Sequence, residues 1–171
     1  MATQDDVDRL IAAWQFERPD LDVAPFHILS RVTRLARHLD IARREAFAAH
    51  DLETGEFDVL TALRRSGAPY HLSPSQLIAL TLVTSGTMTN RIDRLEGKGL
   101  VERLPDPNDG RGVIVHLTNA GKATVDEALT DLLDRERLLL DSVSIEQQRV
   151  LADLLRQIVL PLDDANMPSD E

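Results

Sequence analysis

Cysteine is absent from the 171-residue sequence, and aromatic residues make up only 4% of it. Without cysteine there is no disulfide framework, no thiolate metal site and no cysteine nucleophile, and a cysteine-based redox sensor is excluded. Also missing are an apolar run near the roughly 20 residues of a membrane-spanning helix and, at the start MATQDDVDRL, the basic region of a secretion signal. We therefore expect a cytoplasmic protein without membrane contact.

The charge balance is acidic, because 29 Asp and Glu residues outnumber 19 Lys and Arg residues and give a net charge of −10. This balance argues against a non-specific polyanion binder. Residues 81–116 nevertheless hold five basic and five acidic side chains, so the negative charge lies outside that segment. The final residues DDANMPSDE are acidic and poor in apolar side chains, which predicts a disordered acidic tail over residues 163–171.

Apolar residues at helical spacing predict three helices in the first part of the chain. The third helix is apolar on several sides and should be mostly buried. Five arginines of residues 31–44 lie largely off the apolar stripe of the second helix, and we interpret them as a solvated or intersubunit face. The first helix covers residues 6–17 with Asp5 or Asp6 as its cap, the second runs from Pro25 to about His50, and the third begins at its cap Thr54 and ends at Gly67.

Two short helices and a hairpin come next. Ser73, Pro74 and Gln76 form a capping-box start for the first short helix, and TSGTMTNRIDRLEGKG predicts the second. The alternating strands LVERL and VIVHLT flank the turn PDPNDGRG. A solvated helical hairpin is the plain alternative for the two helices, but the hairpin directly after them favours a winged helix-turn-helix. Leucine-rich helical periodicity then returns at residues 119–141 and 145–160, so the fold class is mainly α with a small β wing.

The second short helix has a buried and an exposed side when residues 86–97 are projected on a helical wheel. The projection centres the buried side on Met88, Ile92 and Leu95 and turns Thr87, Asn90 and Arg94 outward. Arginine can pair with guanine, asparagine with adenine, and small hydroxyls reach phosphates. We therefore predict double-stranded DNA as a partner, contacted by Ser75, Ser85, Thr87, Thr89, Asn90 and Arg94, and by Arg111 on the wing tip with Asp109 to orient it.

The segment TSGTMTNRIDRLEGKGLVERLPDPNDGRGVIVHLTNAGK resembles the multiple-antibiotic-resistance regulator (MarR) family of bacterial winged-helix transcription factors. It carries the family's recognition helix, the exit LEGKGLVER, and a wing in which Asp109 and Arg111 precede Leu117-Thr118 and Gly121. The resemblance covers about residues 25–160. It implies a homodimer with interlocked first and last helices, which presents two winged helices to a pseudo-palindromic operator and represses transcription.

On this resemblance the chain divides into four segments. Residues 1–52 hold an added helix and the long dimerisation helix, and residues 53–118 form the winged helix-turn-helix that binds DNA. Residues 119–162 supply the C-terminal dimerisation helices, and residues 163–171 are the acidic tail.

The extra helix before Pro25 is similar to one in the urate-responsive subfamily of these regulators. In that subfamily a tryptophan, an aspartate and an arginine form the ligand site, and the matching residues are Trp14, Asp58 and Arg91, with Arg18 as a further anion contact. The resemblance implies a small anionic ligand, urate-like or a carboxylate. The structural alternatives are core packing for Trp14 and a plain salt bridge between Asp58 and Arg91.

The residues themselves support a link between Asp58 and Arg91. Asp58 lies on a helix that is apolar around most of its circumference, so a buried carboxylate there needs a charged partner, and Arg91 lies on the inward flank of its helix. The hypothesis is that an anion competes with Asp58 for Arg91, shifts the recognition helix and lowers DNA affinity by about 1–3 kcal/mol.

Other functional classes have less support. The five histidines are scattered and predict no metal site, although a metal-responsive regulator of the same fold stays an alternative. No nucleophile elbow, phosphate-binding glycine loop or paired-histidine protease motif is present, so we expect neither an enzyme nor a cofactor. The alternative from another class is a dimeric helical interaction module without DNA binding, in which replacing Arg94 and Arg111 would change nothing measurable in DNA retention.

Overall fold

The computed structural model describes residues 4–107 and 109–166, with the side chains of all of these except 110, 111 and 164–166. This part of the chain holds seven helices and one three-stranded antiparallel sheet of order β1-β3-β2. The predicted class, mainly α with a small β wing, is confirmed. The elements in chain order are α1 (Asp6–Glu17), α2 (Phe26–Ala48), α3 (Thr54–Arg65), β1 (His71–Leu72), α4 (Pro74–Thr81), α5 (Ser85–Gly97), β2 (Val101–Asp106), β3 (Asp109–Leu117), α6 (Asn119–Leu139) and α7 (Ile145–Asn166).

Side-chain caps explain where several helices begin. The side chains of Asp5, Ser73 and Thr84 accept hydrogen bonds from the first free backbone N–H groups of α1, α4 and α5. The predicted cap Thr54 is wrong, since Thr54 is the first helical residue and Glu53 occupies the cap position. The backbone N–H of Glu53 donates to the carboxylate of Glu56, three residues further along, at 2.8 Å, so an acid inside the first turn satisfies the N–H of the cap residue.

One hydrophobic core joins the end of α2 to α3, α4, α5, the sheet and the first half of α6. Met88, Ile92 and Leu95 are buried in it, as the wheel projection predicts. The rings of Phe47 and Phe57 stack with centroids 4.0 Å apart. This core fixes α5 by one side only, which leaves its opposite side exposed. A separate small cluster of Val7, Ile11 and Val23 holds α1.

The wing hairpin is anchored at its root. Val101 pairs with Leu117 across β2 and β3, and the register shifts after Pro105, close to the tip. β1, which the sequence analysis missed because two residues carry no periodicity, adds a third strand on the other edge of β3. At the start of α6, Gly121 lies so close to the wing root that an added Cβ would be 2.0 Å from the carbonyl oxygen of Leu100.

The chain separates into two compact units, Met1–Leu132 and Leu133–Glu171. In the second unit no residue of 145–163 is buried, and α7 exposes a stripe of large apolar side chains that includes Val150, Leu154 and Ile158. Helix α7 also continues through residue 166, which corrects the predicted tail: residues 163–166 are helical, since adding residues to a helix that is already formed avoids the cost of nucleation. The rest of the tail, 167–171, lies outside the described residues.

Within the described ranges no helix is both long and apolar enough to span a membrane.

Candidate nucleic-acid interface and linked ligand site

A tight break separates α4 from α5. Helix α4 ends at Thr81, and its C-cap Leu82 adopts the left-handed backbone conformation with φ 51° and is almost fully exposed. Two residues later the Thr84 hydroxyl accepts the N–H of Thr87 at 3.3 Å and starts α5. A left-handed residue with a capping threonine two positions later redirects the chain within a few residues, so the two helices form a helix-turn-helix.

Small polar side chains cover the exposed side of this helix pair. The predicted contacts Ser75, Ser85, Thr87, Thr89 and Asn90 are all exposed on α4 or the first half of α5. Thr89 donates its hydroxyl to the Ser85 carbonyl oxygen at 3.0 Å, which orients it along the helix. These short side chains form a surface that can enter a groove and come close to its floor.

Arg94, the remaining predicted contact on α5, does not extend freely into solvent. Its Nη1 and Nη2 atoms donate to the two carboxylate oxygens of Glu53 at 2.8 and 2.5 Å. Its Nε lies 3.2 Å from Oε1 of Glu56, a charge contact without hydrogen-bond geometry. The hydrogen bonds from Arg94 lower the pKa of Glu53. The wheel projection placed the Arg94 backbone correctly, but a long flexible side chain reaches sideways to the start of α3.

Glu56 is the buried carboxylate of this region, with only 1% of its side chain exposed. Its Oε2 accepts the Nζ of Lys98 at 3.0 Å as well as the N–H of Glu53. The prediction of a buried Asp58 is wrong, since 49% of the Asp58 side chain is exposed. Glu56 lies one turn before the buried Leu60, which puts it on the core face, and this spacing was the signal that sequence reasoning missed.

Asp58 and Arg91 lie side by side without a hydrogen bond between them. Oδ2 of Asp58 is 3.9 Å from Nη1 of Arg91, and this buried Nη1 has no hydrogen-bond partner among the described residues. The guanidinium rests against Gly55, where an added Cβ would be 2.5 Å from it. Partial burial raises the pKa of Asp58, and the charge of Arg91 opposes that rise. The pair therefore links α3 to α5 while leaving a buried donor unsatisfied.

Asp58 also lines a cavity of about 350 Å³ between α2, α3 and α6. Its charged lining includes Arg43, Arg65 and Asp126, and its apolar lining includes Phe47 and Leu129. Arg91 lines a separate cavity of about 230 Å³ beside α5. The cavity at Asp58 combines arginine side chains with an apolar wall, which suits a small organic anion.

The other two predicted ligand residues lie elsewhere. Trp14 and Arg18 are not among the residues that line either cavity. On α1, 45% of Trp14 is exposed, and Arg18 donates to both carboxylate oxygens of Asp20 at 2.8 and 2.6 Å. The structure therefore brings together two of the four predicted ligand residues, and the α1 pair stays apart because α1 packs on α2.

On the wing, Asp109 is exposed at the start of β3. The side chain of Arg111 lies outside the description, as does residue 108. Within the described ranges, no group of three or more His, Cys, Asp or Glu side chains is arranged to hold a metal ion.

Comparison with known proteins gives one family. A model described as "MarR family" matches residues 50–112. The HTH-type transcriptional regulator PecS of Dickeya dadantii (strain 3937) is 36% identical over 158 residues, which is 92% of this chain and 95% of that protein. The crystal structure of wild-type MarR (apo form) from E. coli has a TM-score of 0.66 and 30% identity and covers 76% of this chain and 95% of its own. A cysteine-to-serine mutant of E. coli MarR complexed with operator DNA has a TM-score of 0.64 and 30% identity over 81% of this chain and 99% of its own. The chain has a helix-turn-helix followed by a wing, and it is 36% identical to PecS over 92% of its length. It therefore belongs to the MarR family.

Proposed function

We propose that this protein is a dimeric transcriptional repressor that binds a pseudo-palindromic DNA operator and releases it when a small anion binds. The observation that carries the proposal is α5, which is fixed in the core by three apolar side chains and presents Thr87 and Asn90 to solvent directly before a hairpin wing. Regulators that are similar to this chain, and a neighbour solved with operator DNA, support it. A regulator of this kind acts on chromosomal DNA in the cytoplasm.

The exposed side chains suit two kinds of DNA contact. Asn90 can pair with adenine in the major groove, whereas the hydroxyls of Ser75, Ser85, Thr87 and Thr89 reach phosphates or thymine methyl groups. Arg94 donates to guanine or phosphate once it leaves its glutamates, and Arg111, oriented by Asp109, reaches phosphate or the minor groove from the wing. Because the chain carries a net charge of −10, we expect weak non-specific binding and a strong dependence on salt.

A homodimer supplies the second recognition helix. The apolar stripe of α7, with Leu151, Leu154 and Ile158 at least one-third exposed, supports it, because patches of this kind on soluble proteins mark interaction sites. Two-fold symmetry then requires half-sites about 34–36 Å apart or a multiple of that distance. Leu154→Glu should shift sedimentation from dimer to monomer, whereas Arg156→Glu, an exposed change two residues away, should not.

The ligand is an organic anion, urate-like or a carboxylate, that competes with Asp58 for Arg91. A buried guanidinium nitrogen without a hydrogen-bond partner is a ready donor for such an anion. Movement of Arg91 toward the ligand displaces α5, and coupling of about 1–3 kcal/mol corresponds to a 5- to 150-fold loss of DNA affinity. Trp14 and Arg18 keep their place in this proposal on the family resemblance alone.

Fluorescence anisotropy tests both parts. A labelled duplex from the gene's own upstream region is compared with a scrambled duplex at one salt concentration, with and without urate. Selective binding that urate releases supports the regulator and its ligand class, and Arg91→Lys should then bind the duplex but lose the response. Selective binding that neither urate nor small aromatic carboxylates release would refute the ligand part. Equal weak binding to both duplexes would instead favour the interaction module without DNA binding.

A further inference from the structure

The guanidinium of Arg94 is held by two carboxylates that differ in exposure. Glu53 accepts both terminal nitrogens at 2.8 and 2.5 Å and is 64% exposed, whereas Glu56 faces Nε at 3.2 Å and is 1% exposed. Arg94 itself is 44% exposed. The side of the guanidinium that carries Nη1 and Nη2, here called the Nη edge, is therefore bound to the exposed carboxylate of Glu53. Its Nε atom faces the buried carboxylate of Glu56.

The two contacts have different strengths and different roles. An ion pair between exposed side chains contributes little net free energy, so an outside competitor can displace Glu53. Glu56 is fixed by the N–H of Glu53 and by Lys98, and it keeps the arginine close to the surface of α5. Glu56 therefore positions the Arg94 side chain, and Glu53 occupies its two terminal Nη donors.

The two donors that Glu53 occupies are the same two that would bind DNA. A parallel pair of arginine N–H groups fits a carboxylate, a phosphate, and the O6 and N7 atoms of guanine in the same geometry. Thr87 and Asn90, exposed on the same helix, line one cavity with Arg94, Glu53 and Glu56. A nucleic acid that lies against Thr87 and Asn90 therefore meets Arg94 with its Nη edge already taken.

We propose that Glu53 is an intramolecular competitor of DNA for Arg94, which lowers the operator affinity of this regulator. The inference rests on the proposed DNA binding and adds a residue outside the recognition helix that sets its strength. The Glu53 carboxylate must leave Arg94 before a phosphate or guanine can bind there. The affinity for DNA is therefore lowered by the free energy needed to break the Glu53–Arg94 ion pair.

Charge-neutral replacement of Glu53 tests the proposal. Glu53→Gln removes the ion pair and keeps the side-chain size, and Asp51→Asn is the matched control. Asp51 lies two residues away, is 93% exposed, and has its Oδ2 3.5 Å from Nζ of Lys98. Its positive φ of 53° is one that asparagine tolerates. Both variants remove one negative charge, but only the first releases the Nη edge of Arg94. Glu53→Ala provides a second form of the test, and thermal melting verifies that each variant is folded.

Anisotropy with the upstream duplex is the readout. Glu53→Gln should bind about two- to fivefold more tightly per recognition helix than wild type, which is the range of an exposed ion pair, and more tightly than Asp51→Asn. In an Arg94→Ala background the two variants should behave alike. Equal affinities of Glu53→Gln and Asp51→Asn would overturn the proposal, as would a Glu53 effect that survives in the Arg94→Ala background. If wild type prefers neither the upstream nor the scrambled duplex, the proposed function fails and this inference fails with it.

Discussion

Gly121→Ala should destabilise the protein, although alanine normally stabilises a helix. The added Cβ would be 2.0 Å from the carbonyl oxygen of Leu100 and 2.8 Å from Cδ1 of Leu117. That carbonyl cannot retreat cheaply, because it accepts both the N–H and the hydroxyl of Thr118 at 3.1 Å. Overpacking of this kind costs about 1–3 kcal/mol, against a gain of about 0.5–1 kcal/mol from replacing glycine in a helix. The backbone overlap puts the cost in the upper half of that range, at about 2–2.5 kcal/mol, so we expect a net loss of about 1–2 kcal/mol.

Calorimetry of wild type and two alanine variants measures this balance. For a chain of this size, 1 kcal/mol corresponds to about 2–4 °C, so Gly121→Ala should lower the melting temperature by about 2–8 °C. Gly97→Ala is the control, because its Cβ would meet nothing within 4 Å at the end of α5, and it should melt at or above the wild-type temperature. A Gly121→Ala protein that melts as high as the Gly97→Ala protein would refute the close approach between α6 and the wing root.

Three further changes test the region between α3 and α5. Gly55→Ala should displace the Arg91 guanidinium, since the new Cβ would lie 2.5 Å from it; the flexible arginine yields, so urate release of DNA should weaken in anisotropy while the melting temperature changes little. Glu56→Gln should cost about 1–3 kcal/mol in urea denaturation, because it leaves charged partners beside an uncharged buried group. The raised pKa of Asp58 means that the folded state binds more protons than the unfolded state while the pH passes from the ordinary value of 3.8 to the raised folded value, so the stability of wild type relative to Asp58→Asn should fall as the pH rises through that interval and then level off.

Each of these expectations has a contradicting result. A full urate response in Gly55→Ala would separate the position of Arg91 from ligand sensing. A Glu56→Gln protein as stable as Glu53→Gln would show that burial of the carboxylate is unimportant. A pH-independent stability difference between wild type and Asp58→Asn would mean that Asp58 titrates alike in the folded and unfolded chain.

The spacing of apolar and polar residues predicted the features that form within a single helix or hairpin. The buried side of α5 at Met88, Ile92 and Leu95, the capped start of α4 and the hairpin wing all follow from spacing within about ten residues. The two-residue strand β1 is too short for such a pattern and forms only because β3 supplies its partner. Local sequence therefore gave the elements and the exposed polar face of the helix pair.

Side-chain contacts between different helices could not be predicted from residue spacing. Glu53 and Arg94 are 41 residues apart, and no spacing rule connects the start of one helix to the last turn of another. The expected burial of Asp58 failed for a different reason, since an apolar helix still has one exposed strip and Asp58 lies on it. The resemblance to the urate-responsive subfamily pointed to Asp58 and Arg91 as a link between α3 and α5, but the buried carboxylate between these helices is Glu56.

Because Glu56 is buried and bound at once to the beginning of α3 and to Lys98 at the end of α5, we expect these two helices to move together. A twist of α5 alone would pull a charged group off a carboxylate that has no room to follow. A change in the direction of Thr87 and Asn90 should therefore occur as a joint movement of α3 and α5. A ligand that binds beside Asp58, two residues along α3 from Glu56, would therefore act on α5 as well as on α3.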